Sequence, residues 1–221
     1  MCVRMLVDSD ADSLRTLVVI AHPDDEVLGC GGTMAKLARG GAQVKVLLPS
    51  RRPQMPDWDE RVASFRRATA RLGAEAVIAD PLFDATRCET HLHEFHDLIA
   101  PWIEWSQRVF THWHGDAHQL HRCVSRAVEL ATRPLRRRRD VFLFEVPSST
   151  EQGYSGEAFR PNTYVTLEPS DARAKSDAML EYAEQFTVGR RPADLQRRLE
   201  MRGIEAGVEF AEAFVAARLY F

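Results

Sequence analysis

Five apolar runs, separated by segments of helical periodicity, constrain this chain more than any other feature. "LRTLVVIAH" (14–22), "AQVKVLLP" (42–49), "AEAVIAD" (74–80), "QRVFTHW" (107–113) and "DVFLFEV" (140–146) read as strands. Continuous runs of this kind belong to strands covered on both faces. Between them lie helix-like segments at 31–41, 57–73, 92–106 and 118–132. In the second of these, Val62, Phe65, Ala68 and Leu72 recur at helical spacing. In the third, Pro101 is expected to interrupt or kink the helix. A further strand at 161–168 and helices at 169–186 and 193–214 complete the pattern. The alternation predicts an α/β fold, Rossmann-like and doubly wound, with a mostly parallel sheet and helices on both faces. One domain over residues 1–221 accommodates it. In such sheets ligands bind outside the carboxyl ends of the strands, at the topological switch point.

The composition excludes several partners. A net charge of −3 with 28% charged residues gives no general attraction to nucleic acid or anionic membrane. The one dense basic run, Arg136 to Arg139, reads as a solvated segment before a strand. Cys2, Cys30, Cys88 and Cys123 are dispersed, with no Cys-x-x-Cys pair, so neither a disulfide framework nor a cysteine zinc site is indicated. There is no signal-peptide pattern and no apolar run near the roughly 20 residues of a membrane span, so a cytoplasmic protein is the default expectation. A small-molecule partner remains, with the oligomeric state open.

The first strand ends in "AHPDDEVLGCGG" (21–32), where packing gives no reason for a histidine and three acids. Metal binding, phosphate binding and helix initiation all suggest themselves. Capping would need one acid. A phosphate cradle would need G-x-G-x-x-G or a Lys-Ser/Thr pair, and the acids would repel the ligand. A second cluster, His112, His114, Asp116, His118 and His121, sits at the end of the fourth strand. If the first and fourth strands are neighbours across the switch point, the clusters meet. One His and one Asp from the first with one His from the second would then supply three zinc ligands and leave a fourth position to water. His118 and His121, three apart, would share a helix face. His112 and His114 flank Trp113 and read as structural or supporting residues, and His91, His93 and His96 as one face of a helix.

These stretches resemble the zinc-dependent N-acetylglucosaminide deacetylases, also called PIG-L or LmbE-like deacetylases. "AHPDDEVLGCGGTMAKL" matches the first motif of that family nearly position for position. "GDAHQLH" (115–121) resembles its H-P-D-H motif, and "RVASFRRATARLG" (61–73) its R-x-x-E-x-x-x-A-x-x-x-L-G helix, with Ser64 replacing the acid. "FRPNTYVTL" (159–167) and "AKSDAMLEYAEQ" (174–185) resemble later blocks. The resemblance implies hydrolytic removal of an N-acetyl group from an amino sugar, with release of acetate. It implies His22, Asp25 and His121 as ligands of Zn2+, with Fe2+ as an alternative ion for such a donor set. Asp24 becomes the general base, protonated His118 the stabiliser of the tetrahedral intermediate, and Arg61 and Asp84 the substrate-binding pair. One departure stands out: Leu120 replaces the acid that precedes the last histidine of the second motif, and Asp116 is the candidate partner for one of the histidines in its place. The rival readings are an amidase on another amino-sugar conjugate, a metal- or sugar-binding protein without turnover, and a nucleotide-binding domain. The irregular stretch 147–161 suits a surface loop or a lid.

Overall fold

The computed structural model describes residues 14–134, 137–154 and 157–220, so Cys2 and Arg136 lie outside the described residues. The strands are β1 Arg15–Val19, β2 Gln43–Arg51, β3 Glu75–Asp84, β4 Arg108–His112, β5 Asp140–Phe144, β6 Thr163–Leu167 and β7 Phe210–Arg218. The helices are α1 Asp25–Arg39, α2 Trp58–Arg71, α3 Leu92–Trp105, α4 Gln119–Ala131, α5 Pro169–Met179 and α6 Pro192–Ala206. The strands form one sheet in the order β3-β2-β1-β4-β5-β7-β6. β1 to β5 pair in parallel, and β7 pairs antiparallel with both β5 and β6. The order reverses between β1 and β4, which are direct neighbours with Val18 opposite Phe110. This is the predicted doubly wound sheet with its switch point at the predicted place.

Alternation along the first strand fills two cores. Val18 and Ile20 join Val46, Leu48, Val27 and Met34 on one face. Leu17 and Val19 join Leu47, Phe95, Ile99, Ile103, Val124 and Val128 on the other. Successive side chains of a strand point to opposite faces, so a strand apolar at every position requires helices on both sides. No helix of the described residues is long and apolar enough to cross a membrane.

The C-terminal region corrects the sequence reading. The helix expected over 193–214 stops at Ala206, and Gly207 (φ 73°) takes the left-handed conformation that closes it. Residues 210–218 are a strand. Their Ala and Glu content favours helix, but Phe210 and Phe214 both reach the core from the same face of the strand, which completes hydrogen bonding to both neighbours. Tertiary pairing outweighs local propensity here. Two smaller differences occur. The first helix begins at Asp25 instead of 31, and the helix expected over 169–186 gives way after Met179 to a 3₁₀ segment, Leu180–Gln185. Pro101 lies inside α3, which continues through it.

α1 is broken at Cys30 (φ −146°, ψ 23°), and the break is repaired from far along the chain. In a regular helix the Gly32 N–H would bond the Leu28 carbonyl. Here Gly32 N–H donates to Glu212 Oε1 (3.0 Å), Thr33 N–H to Glu212 Oε2 (2.7 Å), and the Leu28 carbonyl accepts from Lys175 Nζ (2.9 Å). Lys175 and Glu212, both about 3% exposed, pair at 2.6 Å. The glycines of "GCGG" serve this packing. A Cβ on Gly29 would collide with the Phe144 ring, and one on Gly32 would lie 2.5 Å from Leu167. They cradle side chains, which disposes of the phosphate reading. Lys175→Met should therefore leave a buried carboxylate unpaired and cost about 3–5 kcal/mol. Denaturant unfolding checks this, and unchanged stability would show the pair to be dispensable.

Candidate metal centre and active site

The turn between β1 and α1 supplies its own hydrogen bonds. His22 N–H donates to Asp25 Oδ2 (2.8 Å) and Asp24 N–H to Glu26 Oε2 (3.2 Å), while Pro23 has no N–H to satisfy. Asp24 adopts φ 111°, a conformation uncommon for any residue but glycine, and makes no side-chain cap to the helix it precedes. Simple helix capping therefore does not explain these acids. Asp24, Asp25 and Glu26 are all at most 3% exposed. Glu26 accepts from Tyr182 Oη (2.6 Å), and burial, opposed by that bond, pushes its carboxyl up to about 8.

β4 and α4 bring the second cluster to the same point. His22 Nδ1 lies 3.3 Å from Asp25 Oδ2, His121 Nε2 lies 3.5 Å from Asp25 Oδ1, and the two ring nitrogens are 3.2 Å apart. Donors held about 2.0–2.1 Å from one ion at tetrahedral angles sit roughly 3.3–3.4 Å from each other. The two histidine nitrogens have about that spacing, and each lies 3.3–3.5 Å from a different oxygen of the Asp25 carboxylate, so the three side chains are candidates to hold a divalent ion. Two wider donor sets overlap this one, His22–His118–His121 and Asp25–His112–His121. In the latter, His112 Nε2 already accepts from the Ala21 N–H (3.0 Å), and its ring stacks on His121 with centroids 4.1 Å apart. It also lies 3.4 Å from Asp25 Oδ2, so His112, read from sequence as a structural or supporting residue, stands here within a candidate donor set. His114 instead lies against the Trp113 ring.

The electrostatics separate the two neighbouring aspartates. Burial opposes ionisation of Asp25, yet the rings of His121, His112 and His22 hold it well below the carboxylate range. Asp24 is raised to about 7 by burial and by Asp25, against the opposing pull of Arg190, His22 and Arg61. Arg190 Nη1 donates to Asp24 Oδ2 at 2.9 Å and Arg190 Nε to Ser148 Oγ at 2.7 Å. Sequence reasoning missed this arginine. It stands in "VGRRP", a polar loop before α6 with no local signature, 166 residues from its partner.

His118 is the N-cap of α4 and not a residue of its first turn, so helical spacing is not what brings it near His121. Its Nδ1 accepts from the Leu120 N–H (3.2 Å), which puts the proton of the neutral ring on Nε2. Burial, with His22 and His121, lowers its pKa to about 4, a direction that disfavours the protonated ring expected from sequence. It remains a donor through Nε2. Leu120 itself packs into the second core, and Asp116 lies beside His121. Asp116 Oδ1 faces His121 Nδ1 at 3.1 Å, and the carboxylate accepts from Ser149 Oγ (2.5 Å), Thr150 Oγ1 (2.6 Å) and the His118 N–H (2.7 Å). These partners hold its pKa far below normal although burial opposes them. The hydroxyls come from the start of the loop at 147–161, which here anchors the site; its residues 155 and 156 lie outside the described residues.

A cleft of about 230 Å³ opens beside His22 and His118, and Arg61 lines it. Asp84 does not. It accepts from Thr86 N–H (2.9 Å) and Oγ1 (2.7 Å) and caps a 3₁₀ turn. Of the predicted pair, the structure therefore brings only Arg61 to the cleft.

Residues 17–132, which carry both motifs, match the family described as PIG-L, GlcNAc-PI de-N-acetylase. The chain belongs to the PIG-L family. It is 39% identical over 84 residues to a 1D-myo-inositol 2-acetamido-2-deoxy-alpha-D-glucopyranoside deacetylase of Segniliparus rotundus, covering 30% of this chain and 26% of that protein. It is 30% identical over 150 residues to the uncharacterized deacetylase YaiS of Escherichia coli, covering 64% of this chain and 79% of that protein. The match thus spans about a quarter of the first relative's length and four fifths of the second's. In fold, this PIG-L member is similar to a conserved protein of Thermus thermophilus, with a TM-score of 0.75 at 23% identity over 94% of this chain and 97% of the other.

Calorimetric titration of the metal-free protein with a divalent ion should find one site per chain, abolished in Asp25→Ala. Asp116→Asn should weaken it about 10- to 100-fold if His121 is a ligand, because the ring loses the carboxylate beside its Nδ1. Affinity should fall as pH is lowered through the pKa of His22, which Asp25 raises against burial, since protons compete with the ion.

Proposed function

We propose that the protein is a Zn2+-dependent N-deacetylase that releases acetate from an N-acetylglucosamine-type amino sugar. The observation that carries this reading is the convergence of His22 Nδ1 and His121 Nε2, 3.2 Å apart, on the Asp25 carboxylate at 3.3 and 3.5 Å, with the Asp24 carboxyl, held by Arg190, beside them. The deacetylase names of the relatives and the membership in the PIG-L family support it. His22, Asp25 and His121 hold the ion, which when bound acidifies water and polarises an amide carbonyl.

The chain's own groups do the rest. A base is most useful when its pKa lies near the working pH, and Asp24, at about 7, meets that condition. Arg190 holds Oδ2, which leaves Oδ1 to accept the proton of the attacking water. The Nε2–H of His118 donates to the oxyanion that develops on the carbonyl, and a neutral donor fixed by the Leu120 amide needs no reorganisation to do so. Asp24 then passes its proton to the departing amine, and acetate and the free amino sugar leave. The buried network of Asp116, Ser149 and Thr150 keeps His121 oriented throughout.

Acetate release from N-acetylated amino sugars, measured with and without chelator and after reconstitution with Zn2+ or Fe2+, tests the proposal. Chelator-resistant turnover, or none with either ion, would overturn it. Asp24→Ala should retain metal and lose acetate release, and undiminished activity in that variant would remove Asp24 from the base's role. Arg190→Met takes away a cation that lowers the Asp24 pKa. The acid limb of its kcat/KM profile should move to higher pH, whereas a merely structural loss would scale the profile without shifting it.

A further inference from the structure

The far side of the cleft carries chemistry that amide hydrolysis does not use. Three arginines, Arg51, Arg52 and Arg61, line it, and no carboxylate does. This charge is local, in a chain whose net charge is −3. Arg61 is already engaged, with Nε on Asp57 Oδ2 at 2.5 Å. The guanidinium groups of Arg51 and Arg52, exposed at the carboxyl end of β2, make no hydrogen bond or ion pair among the described residues. Arg51 lies over the Trp58 ring, 5.5 Å from its centroid, a contact that holds a guanidinium without neutralising it. Asp84, the register partner of Arg51 on β3, is committed to Thr86.

A second observation points the same way. Ser50 lines the cleft next to these arginines, is 1% exposed, and its Oγ has no partner. A buried hydroxyl in that position is satisfied when a ligand oxygen enters. Guanidinium pairs with a neighbouring hydroxyl are the groups that bind phosphate and carboxylate oxygens.

We propose that the substrate is an acetamido sugar bearing an oxyanion, a phosphoryl or carboxyl group, which Arg51, Arg52 and Ser50 bind while the acetamide faces His22 and His118. This rests on the deacetylase reading above. It assigns specificity to a stretch, "SRRP", that the family motifs do not include.

The test compares N-acetylglucosamine, its 1-phosphate, its 6-phosphate and N-acetylmuramic acid as substrates of the metal-loaded chain at low and high salt. The phosphates and the muramic acid distinguish the two sources of the oxyanion. At least one anionic sugar should exceed the neutral one by about tenfold or more in kcat/KM, chiefly through KM, and salt should erode the advantage. In a folded Arg51→Gln/Arg52→Gln variant the ratio should fall toward one. Equal rates on neutral and anionic sugars, or a preference that survives the double substitution, would overturn the inference. Should the double variant not fold, calorimetric binding of glucosamine 6-phosphate and glucosamine to the wild-type chain decides: about tenfold tighter binding of the phosphate supports the site, and equal affinity refutes it. Absence of acetate release from every sugar would count against the deacetylase reading, and the binding arm would then judge the oxyanion site by itself.

Discussion

The carboxylate of Asp25, 1% exposed, is the point on which the site hangs. A charge buried that deeply is tolerable only with partners around it. Those partners come from three elements: His22 from the end of β1, His112 from β4 and His121 from α4. The same carboxylate accepts the His22 N–H and so shapes the turn that delivers it. One group thus sets the local backbone and draws the two sides of the switch point together. Asp24 is left free of these duties, and its unusual φ turns it away from helix capping and toward Arg190.

The N-terminal motif depends on the C-terminal half for its stability and its chemistry. The broken first helix is repaired by Lys175 and Glu212, Glu26 is capped by Tyr182, Asp24 by Arg190, and Asp116 by Ser149 and Thr150. None of these six partners lies within residues 17–132, where the PIG-L match is found. The candidate ligands and reacting groups lie within the family match, while the residues that hold them belong to the irregular connections and last elements of this chain.

That division explains what could be read from the sequence. The parallel core was legible because β1, β2, β4 and β5 are apolar at consecutive positions, a pattern only a doubly covered sheet satisfies. The meeting of His22, Asp25, His118 and His121 followed from placing two clusters at the ends of neighbouring strands. β7 was not legible, since "EFAEAF" carries helical propensity and only pairing with β5 and β6 makes it a strand. Arg190 is one of many arginines, and nothing local marks the one that crosses the fold. Asp84 shows the converse: matching a motif position did not put its side chain in the cleft, because Thr86 offers a nearer partner.

The position of β7 bears on the order in which the molecule is assembled. It is the last described strand along the chain, yet it lies inside the sheet between β5 and β6. During synthesis β6 emerges with no strand to join, and β5 presents an open edge until β7 arrives. The same late strand brings Glu212 to the amides of Gly32 and Thr33. A nascent chain can therefore hold every residue of both motifs and still lack a finished first helix, so maturation of the site waits on the final strand and exposes the β5 edge to aggregation in the interval.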